Sequence, residues 1–111
     1  MLEGGVRVLI YAGDVDFICN WIGNKAWTKA LPWSGHAQFA AQEDKDWYYT
    51  DATSPATPAK VGGLARTAKA AAGEGSLTFL QVYEAGHMVP MDQPAAALAL
   101  LNGFLNNKPF Y

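Results

Sequence analysis

The sequence of 111 residues has a single cysteine, Cys19, and so cannot close a disulfide within itself. Its two histidines, His36 and His87, stand far apart, and no cysteine or histidine cluster has the spacing of a zinc site. Charge is scarce too: Asp, Glu, Lys and Arg make up 16% of the chain and leave a formal net charge of −2. The eight basic residues are scattered singly, with no stripe beside stacking aromatics, which argues against a nucleic-acid surface. They read as parts of a solvated face. No hydrophobic run approaches the ~20 residues that a helix needs to cross a bilayer. The apolar stretch at residues 8–12 ends at once in Gly13-Asp14, so the N-terminus does not read as a signal peptide. No Asn-x-Ser/Thr sequon occurs. These absences leave no expected metal, cofactor, nucleic acid or membrane partner.

What is present belongs to a packed domain. Half of the residues are hydrophobic, far from the composition of a disordered tail. Arg7-Val8-Leu9-Ile10-Tyr11-Ala12 is a short apolar run without clean alternation, which predicts a strand covered on both faces, as in a parallel sheet. Residues 1–5 read as a start cut into an existing strand. After a turn at Gly13-Asp14-Val15-Asp16, residues 20–31 carry Trp21, Ala26, Trp27 and Leu31 near helical spacing, and Pro32 ends that helix. Residues 33–60 read as loop, with one short strand or turn near Trp47-Tyr48-Tyr49. Residues 61–72 fit either a helix, for their alanines, or a strand, for Gly62-Gly63 and Thr67. Leu77-Thr78-Phe79-Leu80-Gln81-Val82-Tyr83 is a second strand, followed by a sharp corner at Ala85-Gly86-His87. Asp92 is the expected N-cap of a last helix with Pro94 in its first turn and Leu98, Leu101 and Leu105 on one face. The alternation of strand, loop and helix predicts an α/β fold.

In open α/β sheets, functional groups gather on loops at the carboxyl ends of strands. Two such loops offer chemistry here: Asp14 and Asp16 after the first strand, His87 after the last. An Asp followed later by a His fits the Ser, Asp, His order of an α/β-hydrolase triad. The carboxylate would hold one imidazole N–H and fix the tautomer, while the imidazole takes and returns a proton near neutrality. On spacing alone, Asp14 and Asp16 serve equally well as turn and capping carboxylates, and a His after Gly as a surface residue. Two Asp residues without further ligands fall short of a calcium or magnesium site. His36 has no partner nearby in sequence and reads as structural. No Gly-x-Ser-x-Gly elbow occurs, and none of Ser34, Ser54 and Ser76 sits between a strand and a helix. Cys19, among Phe17, Ile18 and Trp21, reads as a buried inert thiol or a pocket wall rather than a nucleophile.

The run Gly13-Asp14-Val15-Asp16-Phe17-Ile18-Cys19-Asn20-Trp21-Ile22-Gly23-Asn24-Lys25-Ala26-Trp27-Thr28, continuing to Leu31-Pro32-Trp33, closely resembles the Asp region of the serine carboxypeptidase family, in particular its fungal carboxypeptidase Y-like enzymes. Gly86-His87-Met88-Val89-Pro90, then Asp92-Gln93-Pro94, resembles the His region of the same family. One departure is Ala85, where the resemblance leads us to expect glycine. The resemblance implies that residues 1–111 are the C-terminal segment of a single α/β-hydrolase domain. That segment would be an incomplete, mostly parallel sheet with flanking helices, lacking the N-terminal part that bears the serine. It implies catalytic roles for Asp16 and His87 and substrate contacts for Cys19 and Met88. The implied activity is release of residues from peptide or protein C-termini, in the vacuole or secretory route. It also implies that the segment is inactive alone and needs the rest of the fold. A non-catalytic binding or interaction module built on the same fold is the alternative expectation, and another α/β-hydrolase such as a lipase is disfavoured by the Asp region.

Overall fold

Two apolar runs become neighbouring parallel strands, and that pairing organises the structure, a computed structural model describing residues 1–111. Strand β1 (Arg7–Gly13) lies beside β4 (Ser76–Val82), in register from Arg7↔Ser76 to Gly13↔Val82. A short 3-10 turn at Leu2–Gly4 precedes β1, where the sequence suggested the strand's own continuation. Between them come helices α1 (Trp21–Ala30) and α2 (His36–Ala41), then strands β2 (Lys45–Tyr49) and β3 (Lys60–Lys69). Helix α3 (Val89–Asp92) and helix α4 (Pro94–Leu105) follow β4. The four strands form one sheet in the order β1-β4-β3-β2. The fold is therefore α/β, as the alternation predicts.

The sheet is mixed rather than mostly parallel, because only β1 and β4 pair in parallel, while β3 runs against both of its neighbours, β4 and β2. Connection length decides this. β3 and β4 are joined by a tight turn around Gly73, which sits at φ 81°, and a link that short can only fold the chain back on itself. β1 and β4 are separated by more than sixty residues, ample for the crossover that parallel strands require.

The side chains of β4 alternate between two cores. Leu77 and Phe79 point to one face, against Phe39 of α2 with Leu2 and Ala68; Trp21 and Leu31 of the α1 region pack on its margin. Leu80 and Val82 point to the other, against Trp47, Ala65, Val89, Ala96 and Leu100. The lack of alternation in the two apolar runs thus has its expected cause, since helices cover both faces of the sheet. β4 is the central strand and almost wholly buried, whereas β1 is half-buried and leaves one edge unpaired. Beside it opens an apolar groove of about 390 Å³ lined by Val8, Ile10, Trp27 and Leu31 among others.

Several local expectations change. The stretch 33–60 holds a helix, α2, as well as β2, and the ambiguous residues 61–72 are largely the strand β3. Asp92 is not the N-cap of the last helix: it ends α3, and Gln93 precedes α4 without a capping side chain. The row Leu98, Leu101, Leu105 faces outward, 45–63% exposed, while Ala96 and Leu100 face the core. Helix α4 is apolar nearly all round, so periodicity does not single out its buried face. Arg66, only 5% exposed, is held by Asp44, which also pairs with Lys25 of α1. No helix is long and apolar enough to cross a membrane.

Candidate active site

Because β1 and β4 are parallel and in register at their ends, the loops that follow Gly13 and Val82 leave the same side of the sheet together. Their backbones are bonded directly: Asp14 N–H donates to Val82 O (2.9 Å) and Val15 N–H to Ala85 O (3.1 Å). Gly13 permits this approach, since a Cβ there would strike the carbonyl oxygens of Ala85 and Gly86. Ala85, the departure from the expected glycine, is fully buried in the α3/α4 core and lies outside the positive-φ region, so its methyl group packs without strain.

At this junction His87 Nδ1 lies 3.0 Å from Asp16 Oδ2. The residues are 71 positions apart in sequence. The other carboxylate oxygen, Oδ1, accepts the Cys19 N–H at 3.0 Å, so Asp16 is fixed on both sides. The side chains differ sharply in exposure, 7% for Asp16 and 65% for His87. Burial pushes the Asp16 carboxyl upward, but hydrogen bonds from His87 and the Cys19 backbone and the imidazolium charge together hold it below the usual carboxylate range. Asp16 is thus a charged acceptor whose geometry selects the tautomer carrying its proton on Nδ1. That leaves Nε2 as the ring nitrogen with a free lone pair, on an imidazole open to solvent.

The residues around the pair explain the unusual tryptophan-rich motif. Asn20 caps α1 by accepting the Gly23 N–H at 2.8 Å. Asn24 Nδ2 donates to the carbonyls of Cys19 (3.0 Å) and Asn20 (3.1 Å), and its Oδ1 accepts the Trp27 indole N–H. The start of α1 is thereby locked to the turn that carries Asp16. Asn24 is a site residue that sequence reasoning missed, although its place inside the motif was the available signal.

Cys19 is exposed, contrary to the reading of a buried thiol, because its apolar neighbours Phe17 and Ile18 are themselves 93% and 84% exposed. Met88 is 57% exposed beside His87. Both side chains are thus open to solvent near the junction. The ligand atoms of Asp16, Cys19 and His87 lie within 4.8 Å of one another, a donor set that could hold a metal ion, although their sequence spacing gives no hint of it. His36 Nδ1 lies 2.9 Å from Leu31 O, away from this junction, in keeping with a structural role. Asp14 does not touch His87; its Oδ1 accepts the Glu84 N–H at 2.8 Å.

Comparison with known proteins bears on this arrangement. The family model for serine carboxypeptidases matches residues 1–107. The carboxypeptidase Y homolog A of Emericella nidulans is 48% identical over 105 residues, covering 95% of this chain and 17% of that protein. Those of Chaetomium globosum and Aspergillus niger are 47% and 46% identical, with the same coverage of each chain. The chain therefore spans about one sixth of the length of the curated relatives it matches.

Proposed function

The chain belongs to the serine carboxypeptidase family, and on that premise we propose that it supplies the acid–base half of a peptidase active site. A hydrolase of the peptidase class is what the family implies. The observation that carries the finer reading is the Asp16–His87 hydrogen bond of 3.0 Å, with the carboxylate buried and the imidazole open to solvent on its other side.

In this reading residues 1–111 are the C-terminal segment of one α/β-hydrolase domain. The unpaired edge of β1 and the apolar groove beside it support this reading, since an open strand edge and an uncovered apolar surface suit a sheet that continues into the rest of that domain. These 111 residues contain no serine elbow, so the nucleophile comes from outside them. His87 Nε2 takes the proton of that serine as its oxygen attacks the peptide carbonyl. Asp16 accepts the Nδ1–H throughout and stabilises the imidazolium. His87 then gives the proton to the departing C-terminal residue, leaving an acyl-serine. Water hydrolyses the acyl-serine with His87 as base a second time. Cys19 and Met88, exposed on either side of this path, contact the substrate side chains next to the scissile bond. The vacuolar or secretory location implied by the resemblance belongs to the same proposal.

The test is a chimera in which this chain replaces the matching segment of the Aspergillus niger relative, assayed on a blocked Phe-Leu dipeptide. Release of free leucine that is lost with His87→Ala supports the reading. A secreted, folded chimera that turns over equally well with His87→Ala contradicts it. The 111 residues alone are expected to show no turnover. Turnover by them that His87→Ala abolishes would reveal a nucleophile among these residues and favour a self-contained enzyme.

A further inference from the structure

Two carboxylates that take no part in the Asp16–His87 bond grip the loop that carries His87. From the β1 side, Asp14 Oδ1 accepts the Glu84 N–H at 2.8 Å. From the α3 side, Asp92 Oδ2 accepts the Gly86 N–H at 2.7 Å, immediately before the histidine. Gln93 Nε2 adds a third tie, donating to Glu84 O at 3.2 Å. Glu84 itself sits at φ 54°, in the left-handed region that a residue with a Cβ rarely occupies. Such a conformation persists only where surrounding bonds hold it, and here the holding bonds end on Asp14 and Gln93.

The placement of these groups matters more than their number. Asp14 stands two residues before Asp16 on the same turn, and it grips the backbone three residues before His87. That side-chain bond joins the backbone bonds from Asp14 N–H to Val82 O and from Val15 N–H to Ala85 O in setting the separation of the turn bearing the carboxylate from the loop bearing the imidazole. Asp92 fixes the same loop from the α3 side, so the loop is held from two separate elements. An ionised carboxylate suits this task, because it accepts backbone N–H bonds that are shorter and stronger than neutral ones.

We propose that Asp14 and Asp92 are positioning residues that hold the strained loop around Glu84 so that His87 Nδ1 stays within bonding reach of Asp16. The proposal rests on the reading of Asp16 and His87 as a catalytic pair, but its test does not depend on turnover. The bonded imidazole N–H is expected to give a proton resonance far downfield of the amides in the 111-residue chain, and the variants Asp14→Ala, Asp14→Asn and Asp92→Ala are compared by that signal. Asp14→Ala and Asp92→Ala are expected to lose it while the amide resonances of β3 and β4 keep their shifts. Asp14→Asn, which retains a side-chain oxygen as acceptor, is expected to keep it. Persistence of the resonance in both alanine variants overturns the proposal. So does loss of the β3 and β4 shifts along with the resonance in Asp14→Asn, which marks a purely structural residue. Absence of the resonance from the unchanged chain overturns it as well, by showing that the pair does not form. In the chimera described above, Asp14→Ala is expected to lower kcat on the order of 10²-fold with KM nearly constant, the mark of a misplaced group rather than a lost substrate contact. Failure of the chimera to turn over with a normal resonance would instead count against the catalytic reading alone.

Discussion

Removing the Asp44 carboxylate should destabilise the chain by about 3 kcal/mol, through Arg66 rather than through Asp44 itself. Asp44 Oδ1 accepts the Arg66 Nε–H at 2.7 Å, and its other oxygen bonds Lys25 of α1. Arg66 also donates to the carbonyls of Phe39 (3.0 Å) and Ala40 (3.4 Å) of α2. The cluster thus ties both helices of one face to β3. In Asp44→Ala the lysine, 22% exposed, swings into water, and its lost bond costs less than about 1 kcal/mol. The guanidinium is 5% exposed and has no such escape. Stripping one partner from a buried ion pair costs about 3–5 kcal/mol, and the 20% exposure of Asp44 places this case at the low end. Against a domain stability of roughly 5–15 kcal/mol that is a large loss. Urea unfolding at low micromolar concentration, followed by tryptophan fluorescence, reads it as a lower midpoint at constant slope. A difference below about 1 kcal/mol would refute the reasoning, because it would mean that Arg66 finds solvent or another partner. The sign with pH adds a second check. Burial raises the Asp44 pKa, but bonds from Lys25 and Arg66 and their charges lower it further, so the net shift is downward. Its contribution is therefore fully present above the ordinary carboxylate range and disappears as pH falls through the lowered value. Asp44→Ala should remove that part of the acid dependence.

Gly13→Ala should break the junction of the two loops, because its methyl group meets the Ala85 and Gly86 carbonyls; hydrogen exchange should show the 83–88 amides opening while those of β3 stay protected. Protection unchanged in the 83–88 loop would contradict that account. Asp16 is held below the usual carboxylate range, so its bond to His87 should survive mild acid and fail only as pH drops through that lowered value. Loss of the imidazole N–H signal already at neutral pH would be the opposite result. Cys19→Ala and Met88→Ala in the chimera should raise KM on the order of tenfold with little change in kcat, as for truncated apolar contacts; an equal fall in kcat would assign them another role. With Phe17, Ile18 and Ile22 each more than 60% exposed beside the open β1 edge, the isolated chain should bind a hydrophobic dye and self-associate as its concentration rises. A dye-free monomer that stays monodisperse as its concentration rises would oppose that.

How much of this could be read from residues alone follows the strength of local signals. β1, α1 and β4 announce themselves by unbroken apolar runs, by the helical spacing of Trp21, Ala26, Trp27 and Leu31, and by Pro32 as a stop. Helix α2 does not, because it has six residues and buries only Phe39. β3 was ambiguous since its burial comes from small residues: glycines and alanines that let Trp47 and the β4 backbone approach closely. Direction within the sheet was misjudged for a related reason, as apolar runs reveal burial but not polarity of pairing. At the junction, loop order alone anticipated that the segments bearing Asp16 and His87 would meet. The ties through Asp14 and Asp92 are not legible, because each joins a side chain to a backbone amide, which leaves no pattern in sequence. From its apolar neighbours Cys19 reads as a buried thiol or a pocket wall; those neighbours are themselves exposed, and so is Cys19, which removes the first of these.

The central claim is that Asp16 and His87 form the acid–base pair of a carboxypeptidase. Its most direct test is kcat/KM for the blocked Phe-Leu dipeptide in the chimera and its Asp16→Asn variant. With the carboxylate replaced by an amide, the imidazole is held in the wrong tautomer. The account predicts a fall on the order of 10⁴-fold at neutral pH, in a chimera that still folds and is secreted. An Asp16→Asn chimera within about tenfold of the unsubstituted one would show that this carboxylate does not orient the catalytic base.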